Sequence, residues 1–439
     1  MIPTAPDPIA PAGVLCPPRA AGWLLRASRL LFILAALYAI LYSPVVAVTK
    51  TGLVRPLVAV GLLVLLAEAA REGVLDLRLP KPVISAGAWL FAALAVSQWI
   101  AFLGGGDLFL RSLVIAVFTG VLPLTVLIVW IVPPERGVLS YLTRATACLG
   151  MLQSVFIIAD WTVPAVRALF GLLVVQPESL DQGIRAAGLT SMTGDGLSVS
   201  QAICAVCAMY LAVTAERWRA VLGWGTGLLL ILATMMFVGR TGFVLIGFFG
   251  LFLAVFERRR KRVLIGALVL AALLGGGIWA IMLSIQDERL SAIFSRVVSH
   301  AFEAVIGVGE GEGPGTKSTE DLKSMIIFPD GAREWLIGDG FYNNPADPDA
   351  NYMGTDIGYL RLLFYVGLLG SAMIYLWYLW AGFSAVRRLL GREEQILCAG
   401  LVACFFLSQL KFSFLLLVGP MGFTLLLYFA SVRQAQRCG

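Results

Sequence analysis

The chain is poor in the groups on which soluble enzymes most often rely. Charged residues make up only 14% of its 439 residues, and there is one histidine, His300, with no acids at ligand spacing beside it. A metal site of histidine and carboxylate ligands is therefore not expected. His300 would suit a general base near neutral pH, but a solvated histidine on a helix is the plainer reading. A glycine loop for nucleotide phosphates is missing too, because "GVGEGEGPG" (307–315) is acidic and lacks the lysine and helix that such a loop needs. Neither a nucleotide-dependent reaction nor a cofactor is expected. Most of the seven cysteines (Cys148, Cys204, Cys207, Cys398, Cys404) fall inside apolar stretches and read as small hydrophobes. The CxxC of Cys204 and Cys207 has no second pair and no neighbouring histidine, so it does not read as a zinc site. The first 20 or so residues lack the basic-then-apolar order of a cleavable signal, so the first apolar helix is expected to act as its own uncleaved signal.

Hydrophobic residues are abundant instead. They form 59% of the chain, the mean hydropathy is +0.87, and apolar runs recur at the length that a bilayer requires, about 20 residues. The reading is an all-α, polytopic membrane protein with about 12 transmembrane helices. Its spans are expected near 28–49, 52–70, 83–103, 112–132, 138–160, 196–214, 220–238, 241–256, 263–286, 357–381, 395–410 and 412–431. Two boundaries are weak: "FVGRTGF" allows only a tight turn, and a lone Lys411 divides an otherwise continuous apolar run. The net charge of +6 does not point to nucleic acid, because the cations are spread through short loops, where they orient the chain. If "ERRRKR" (257–262) is inside, alternation puts 20 of the 33 Lys and Arg residues inside and 13 outside, with both termini cytoplasmic.

The same alternation leaves 287–356 outside, with 13 of the chain's 27 acids. A loop of that length exceeds what a connector needs and is expected to be functional. Its first part, "DERLSAIFSRVVSHAFEAV", has apolar residues at helical spacing and reads as an amphipathic helix on the membrane; the glycine-rich stretch after it reads as a mobile tip. A second outer loop, 161–195, contains an amphipathic piece over 163–175. The organisation is thus a disordered cytoplasmic tail (1–27), nine spans (28–286), the large periplasmic loop (287–356), three spans (357–431) and a short tail (432–439).

Cations near a hydrocarbon boundary are costly and need a partner or a task. Arg185 in "RAAGLT", Arg240 in "VGRTG", Arg289, Arg361 and Lys411 all map to outer helix ends. Several guanidinium groups meeting at one place suit a phosphate or pyrophosphate, since each planar fork donates two parallel hydrogen bonds. Snorkelling to lipid headgroups is the alternative for any one of them, least so for Arg240 between Gly239 and Gly242. In "TDIGYLRLLFYVGLLG" (355–370), Asp356 and Tyr359 are three residues apart and share a face if a helix begins there, while Arg361 points into the bundle. A carboxylate partly withdrawn from water becomes a stronger base, able to accept a hydroxyl proton. It would equally suit a helix N-cap.

These stretches resemble a known family. "GDGFYNN…TDIGYLRLLFYVGLLG" is similar to the last outer loop and following helix of the O-antigen polymerase and ligase superfamily, membrane glycosyltransferases that use sugars linked to a polyprenyl pyrophosphate. "RAAGLT" at Arg185 and "VGRTGFVLIGFFG" at Arg240 resemble that superfamily's R-x-x-G-L and S-R-T-G elements. The ligase branch has a His-Asn/Ser-x-Tyr-Leu motif at the start of that helix. Here the aligned residues are Asp356, Ile357, Gly358, Tyr359 and Leu360, and aspartate at the histidine position points to the polymerase branch.

The resemblance implies a GT-C-like fold in a bacterial inner membrane and a metal-independent polymerase acting at the periplasmic face. It implies that Arg185 and Arg240, aided by Arg289, offset charge on the leaving pyrophosphate, and that Asp356 accepts the hydroxyl proton or orients the acceptor. Arg361 would bind phosphate or hold Asp356 ionised. Tyr359, Tyr342 and Trp335 would stack on or bond to sugars. The implied partners are polyprenyl-pyrophosphate-linked oligosaccharide and membrane lipids, with flippase and chain-length regulator proteins alongside. A ligase that joins finished glycan to another acceptor is one rival. A transporter is another, although a midplane site should show ionisable residues in mid-helix, and these cations cluster at helix ends.

Overall fold

The computed structural model describes residues 19–72, 79–133, 137–176, 186–192, 194–239, 241–256 and 324–438. Apolar stretches with few breakers form helices there, as a backbone shielded from water must satisfy its own polar groups. The helices are α1 (Arg19–Tyr42), α2 (Val54–Glu72), α3 (Lys81–Leu103), α4 (Phe109–Ala116), α5 (Leu122–Ile131), α6 (Val138–Thr162), α7 (Pro164–Leu173), α8 (Gly194–Thr214), α9 (Trp218–Met235) and α10 (Thr241–Phe256). Then come α11 (Ala332–Ile337), α12 (Gly358–Arg388), α13 (Arg392–Ser408) and α14 (Val418–Cys438). Among the described residues, six helices are long and apolar enough to cross a membrane: Lys81–Leu103, Phe109–Ile131, Val138–Thr162, Gly194–Thr214, Trp218–Met235 and Gly358–Arg388. The chain is a helical, multi-pass membrane protein.

Several boundaries differ from the sequence reading. The first helix starts at Arg19, inside the expected tail, and stops at Tyr42 rather than near residue 49. Ser43 turns to a positive φ and Pro44 has no N–H to continue the helix, so the chain makes a short antiparallel hairpin, β1 (Val45–Val46) with β2 (Thr51–Gly52). The expected span 112–132 is interrupted by one π-helical turn, Val117–Val121, just before Pro123, whose missing N–H disturbs the ladder there. The expected span 412–431 is shortened, because residues 409–417 form a non-helical break closed by a 3-10 turn at Phe414–Leu416. Gln409, fully buried, turns its amide oxygen to the N–H groups of Phe414 and Leu415 (2.7 and 2.6 Å) and so satisfies the broken backbone. The amphipathic piece of the second outer loop is α7. The expected span 263–286, the amphipathic segment after it and the glycine-rich tip lie outside the described residues.

The core forms around α8, buried along its whole length and packed by α6, α9 and α10. Small side chains permit this, as Gly150 of α6 lies directly against Cys204. Cys204 and Cys207 are buried and free, in keeping with their reading as small hydrophobes.

The second half of the bundle is organised by α12, which packs on α3, α13 and α14. This helix breaks its own ladder at Gly367 (φ 61, ψ −169). There the end of α11 reaches it, with Leu336 so close that any side chain at Gly367 would overlap its carbonyl. The N–H of Asp339 takes the carbonyl of Phe364 (2.6 Å), which the break leaves free. Gly367 lies nine residues beyond Gly358, so "GDG" (338–340) reaches about 14 Å down the helix from its start. Its other side meets "GGGD" (104–107) after α3, where a methyl at Gly106 would overlap the carbonyl of Gly340. Irregular backbone at such depth is tolerated only when enclosed by protein and hydrogen-bonded.

Candidate functional site

Asp107 joins these loops. One carboxylate oxygen accepts the N–H of Phe109 (3.1 Å) and the other that of Tyr342 (3.2 Å). Its N–H donates to the carbonyl of Gly340 (2.9 Å), and its own carbonyl accepts from Gln98 (3.1 Å) and from the hydroxyl of Tyr365 (3.4 Å). The short strands β3 (Asn343–Asn344) and β4 (Asp347–Asn351) then return the chain toward α12.

Held in this way, the ring of Tyr342 lies flat on Phe109, with centroids 3.8 Å apart and planes 11° apart. The guanidinium carbon of Arg361 stands 4.0 Å from the same centroid, so it occupies the opposite face. Arg361 is only 5% exposed and donates to the carbonyl of Tyr342 and to Asn343 Oδ1, both at 3.3 Å. Its Nε is buried and has no hydrogen-bond partner among the described residues. Asp356 is near enough to act on it electrostatically, but forms no ion pair with it. A cation has thus been withdrawn from water near the start of a helix, and among the described residues its hydrogen bonds go only to neutral acceptors.

The other expected residues of this region have separate surroundings. Asp356 is half-buried and accepts a hydrogen bond from the Asn351 amide. It does not cap α12: the N-cap is Ile357, and no side chain bonds to the first turn. Nor do Asp356 and Tyr359 share a helical face, since Asp356 precedes the helix and the Tyr359 hydroxyl donates to Phe406 of α13 (2.8 Å). Both ring faces of Tyr342 are covered, one by Phe109 and one by Arg361, so neither is open for stacking. Trp335 is half-buried and stacks on the exposed ring of Phe328 (5.8 Å, 11°), leaving an aromatic surface on the loop.

Beside Trp335, Asp339 is held above the ordinary carboxylate range by burial, with Glu334 adding to this and Tyr352 and Arg333 opposing it. Burial likewise raises the phenols of Tyr342 and Tyr352; Arg361 opposes it at Tyr342, whereas Asp339 adds to it at Tyr352.

Arg185, Arg240 and Arg289 lie outside the described residues, but the backbone next to two of them is closely held. Ala187 and Gly188 donate to one oxygen of the buried Asp160 (3.0 and 3.2 Å), and Gln153 donates to the carbonyl of Ala187 (2.7 Å). Arg167 pairs with the same aspartate at 3.6 Å. On the far side of Arg240, Ser198 bonds Gly239 and Gly242 (both 2.8 Å), and Thr241 bonds Asp195 (2.9 Å). Ala186 donates directly to Phe237 (3.3 Å), so "AAGLT" and "FVG" meet. The break 409–417 links the two groups, because Leu417 approaches Gly196 of α8 and Phe412 approaches Gly358 of α12. All these contacts belong to one end of the bundle.

Sequence reasoning missed Asp107, Gln98, Phe109 and Tyr365. The available signal was "GGGD", more glycine than a connector between apolar runs needs. No family model matches the chain, and no curated relative does.

Proposed function

We propose that this chain is a polysaccharide polymerase of a bacterial inner membrane, acting at the outer face on glycans carried by a polyprenyl pyrophosphate. The observation that carries the reading is Arg361, a buried guanidinium whose Nε has no partner among the described residues, at the same bundle end where Ala186 and Phe237 join the segments of Arg185 and Arg240. Such an end is suited to a multiply charged anion. The motif resemblance supplies the substrate class. In the reaction, the acceptor sugar hydroxyl attacks the anomeric carbon of the growing glycan, and the bond from that carbon to the pyrophosphate oxygen breaks. The hydroxyl proton passes to Asp356, and the lipid pyrophosphate leaves with the bonding electrons. Arg185, Arg240 and Arg289 neutralise that leaving group. The aromatic surface of Trp335 and Phe328 receives sugar rings.

The finer topology belongs to this proposal. With twelve spans and both termini cytoplasmic, the site faces outward, and Arg144, Arg217, Arg219, Arg387, Arg388, Arg392 and Arg433 gather at the opposite end, as cytoplasmic cations do. The test is a glycan gel of cells that express Arg185→Ala or Arg240→Ala chains at normal level. Loss of the long-chain ladder, with single repeat units still attached, is the expected result. Full-length polymer from both variants would refute the reading. Long lipid-linked glycan that is never attached would indicate ligation instead.

A further inference from the structure

A groove separates α3 from α4 on the outside of the bundle, with a volume of about 460 Å³. Phe91, Trp99, Phe102 and Ile115 line it, all exposed by 44% or more. Exposed rings are ordinary on a lipid-facing surface, but two other lining groups are not. Gln98 and Arg111 put a carboxamide and a guanidinium into the same groove. The Arg111 side chain is exposed, with no hydrogen-bond or ionic partner among the described residues. A cation facing hydrocarbon needs an anion or a task. The occupant that satisfies both parts of the groove has a long hydrocarbon chain and an anionic head.

Continuity with the candidate site selects among such lipids. Gln98 accepts the N–H of Arg111 (2.9 Å) and donates to the carbonyl of Asp107 (3.1 Å), and Asp107 holds Tyr342 against Arg361. One side chain therefore connects the polar end of the groove with the buried guanidinium. A head group at Arg111 lies beside the loops that hold the site, while its tail runs along α3 and α4 toward the bilayer interior. Flat, methyl-branched isoprenoid chains pack well on the aromatic faces of Phe91, Trp99 and Phe102, and the volume suits a segment of such a chain.

We infer that the α3–α4 groove binds the isoprenoid tail of a polyprenyl pyrophosphate, with Arg111 on its phosphate. This rests on the proposed polymerase reaction and adds the path by which the lipid carrier docks.

The full chain, purified in detergent, is irradiated with a benzophenone-bearing polyprenyl pyrophosphate, and the labelled peptides are mapped by mass spectrometry. The expected label falls within 91–115, is chased by unlabelled polyprenyl pyrophosphate but not by phosphatidylglycerol, and is about tenfold weaker in Arg111→Gln. Equal chase by phosphatidylglycerol would overturn the inference and make this a general lipid groove. Saturable label confined to another segment would also overturn it, yet leave the polymerase reading intact. No saturable label anywhere, together with normal polymer from Arg185→Ala and Arg240→Ala cells, would remove both.

Discussion

The two ends of the helical bundle treat arginine in opposite ways. Away from the candidate site, arginines sit where helices finish. Arg433 donates to the carbonyls of Val129 and Val132 at the end of α5, Arg392 to Phe256 at the end of α10 (3.2 Å), and Arg388 to Ser384 in its own last turns (3.0 Å). Carbonyls in the last turns of a helix carry partial negative charge, so a cation there is stabilising. At the site end, Arg361 lies near the start of α12, where the helix dipole is positive, and is 5% exposed with no ion pair among the described residues. The first arrangement explains itself by capping. The second costs stability, a cost that the proposed anion would offset.

Three outcomes test this contrast, from the largest effect to the smallest. Arg361→Ala should lower polymer formation by about 100-fold or more, the scale seen when one donor to a developing anion is removed. Its melting temperature should change little, because the cost of burying the charge disappears with the contacts. A large drop in melting temperature with unchanged activity per folded chain would erase the distinction. Arg433→Gln should do the reverse, losing about 1–2 kcal/mol of stability while activity per folded chain is retained.

Asp339 gives the smallest effect and works through pH. Burial raises its pKa above the ordinary 3.8, so the folded chain holds this proton more tightly than the unfolded chain. The penalty for ionising it is absent below the ordinary carboxylate range and grows as pH rises through the raised value. Asp339→Asn should therefore melt with the parent chain near about pH 4 and slightly above it at about pH 7. A stabilisation confined to the acidic side would show that the carboxylate, not the neutral acid, is favoured by the fold.

Helices were the most legible part of the molecule. The expected spans 83–103 and 138–160 fall on α3 and α6 within two residues at each end, because apolar runs bounded by charge or glycine leave the backbone no other way to satisfy itself. The breaks were less legible. Gly367 sits among leucines and valine in "YVGLLG", and only the docking of α11 and Asp339 against it explains why the helix opens there. The break after Ser408 has a similar origin, since Gln409, an ordinary polar residue in the sequence, becomes the cap that makes the interruption affordable. For the candidate site, Arg361 faces the bundle as its place in the helix implied, whereas the partners of Tyr359 and Tyr342, namely Phe406 and Arg361 with Phe109, were not legible. Their partners lie 47 and 233 or fewer residues away along the chain, a separation that helical periodicity does not encode.

By itself, the sequence determined that the chain is helical, that it belongs in a membrane, and that its cations divide between helix ends. These follow from hydropathy and charge, which act through solvent and need no knowledge of neighbours. Only the tertiary structure decided which polar groups meet. The Asp107 carboxylate holds Tyr342, Tyr342 holds Arg361, and Gln98 ties both to the outer groove because glycines at 104–106, 338, 340 and 367 let three backbones approach closely. Hydrogen bonds act over about 3 Å, so their pairing depends on that packing and not on spacing along the chain.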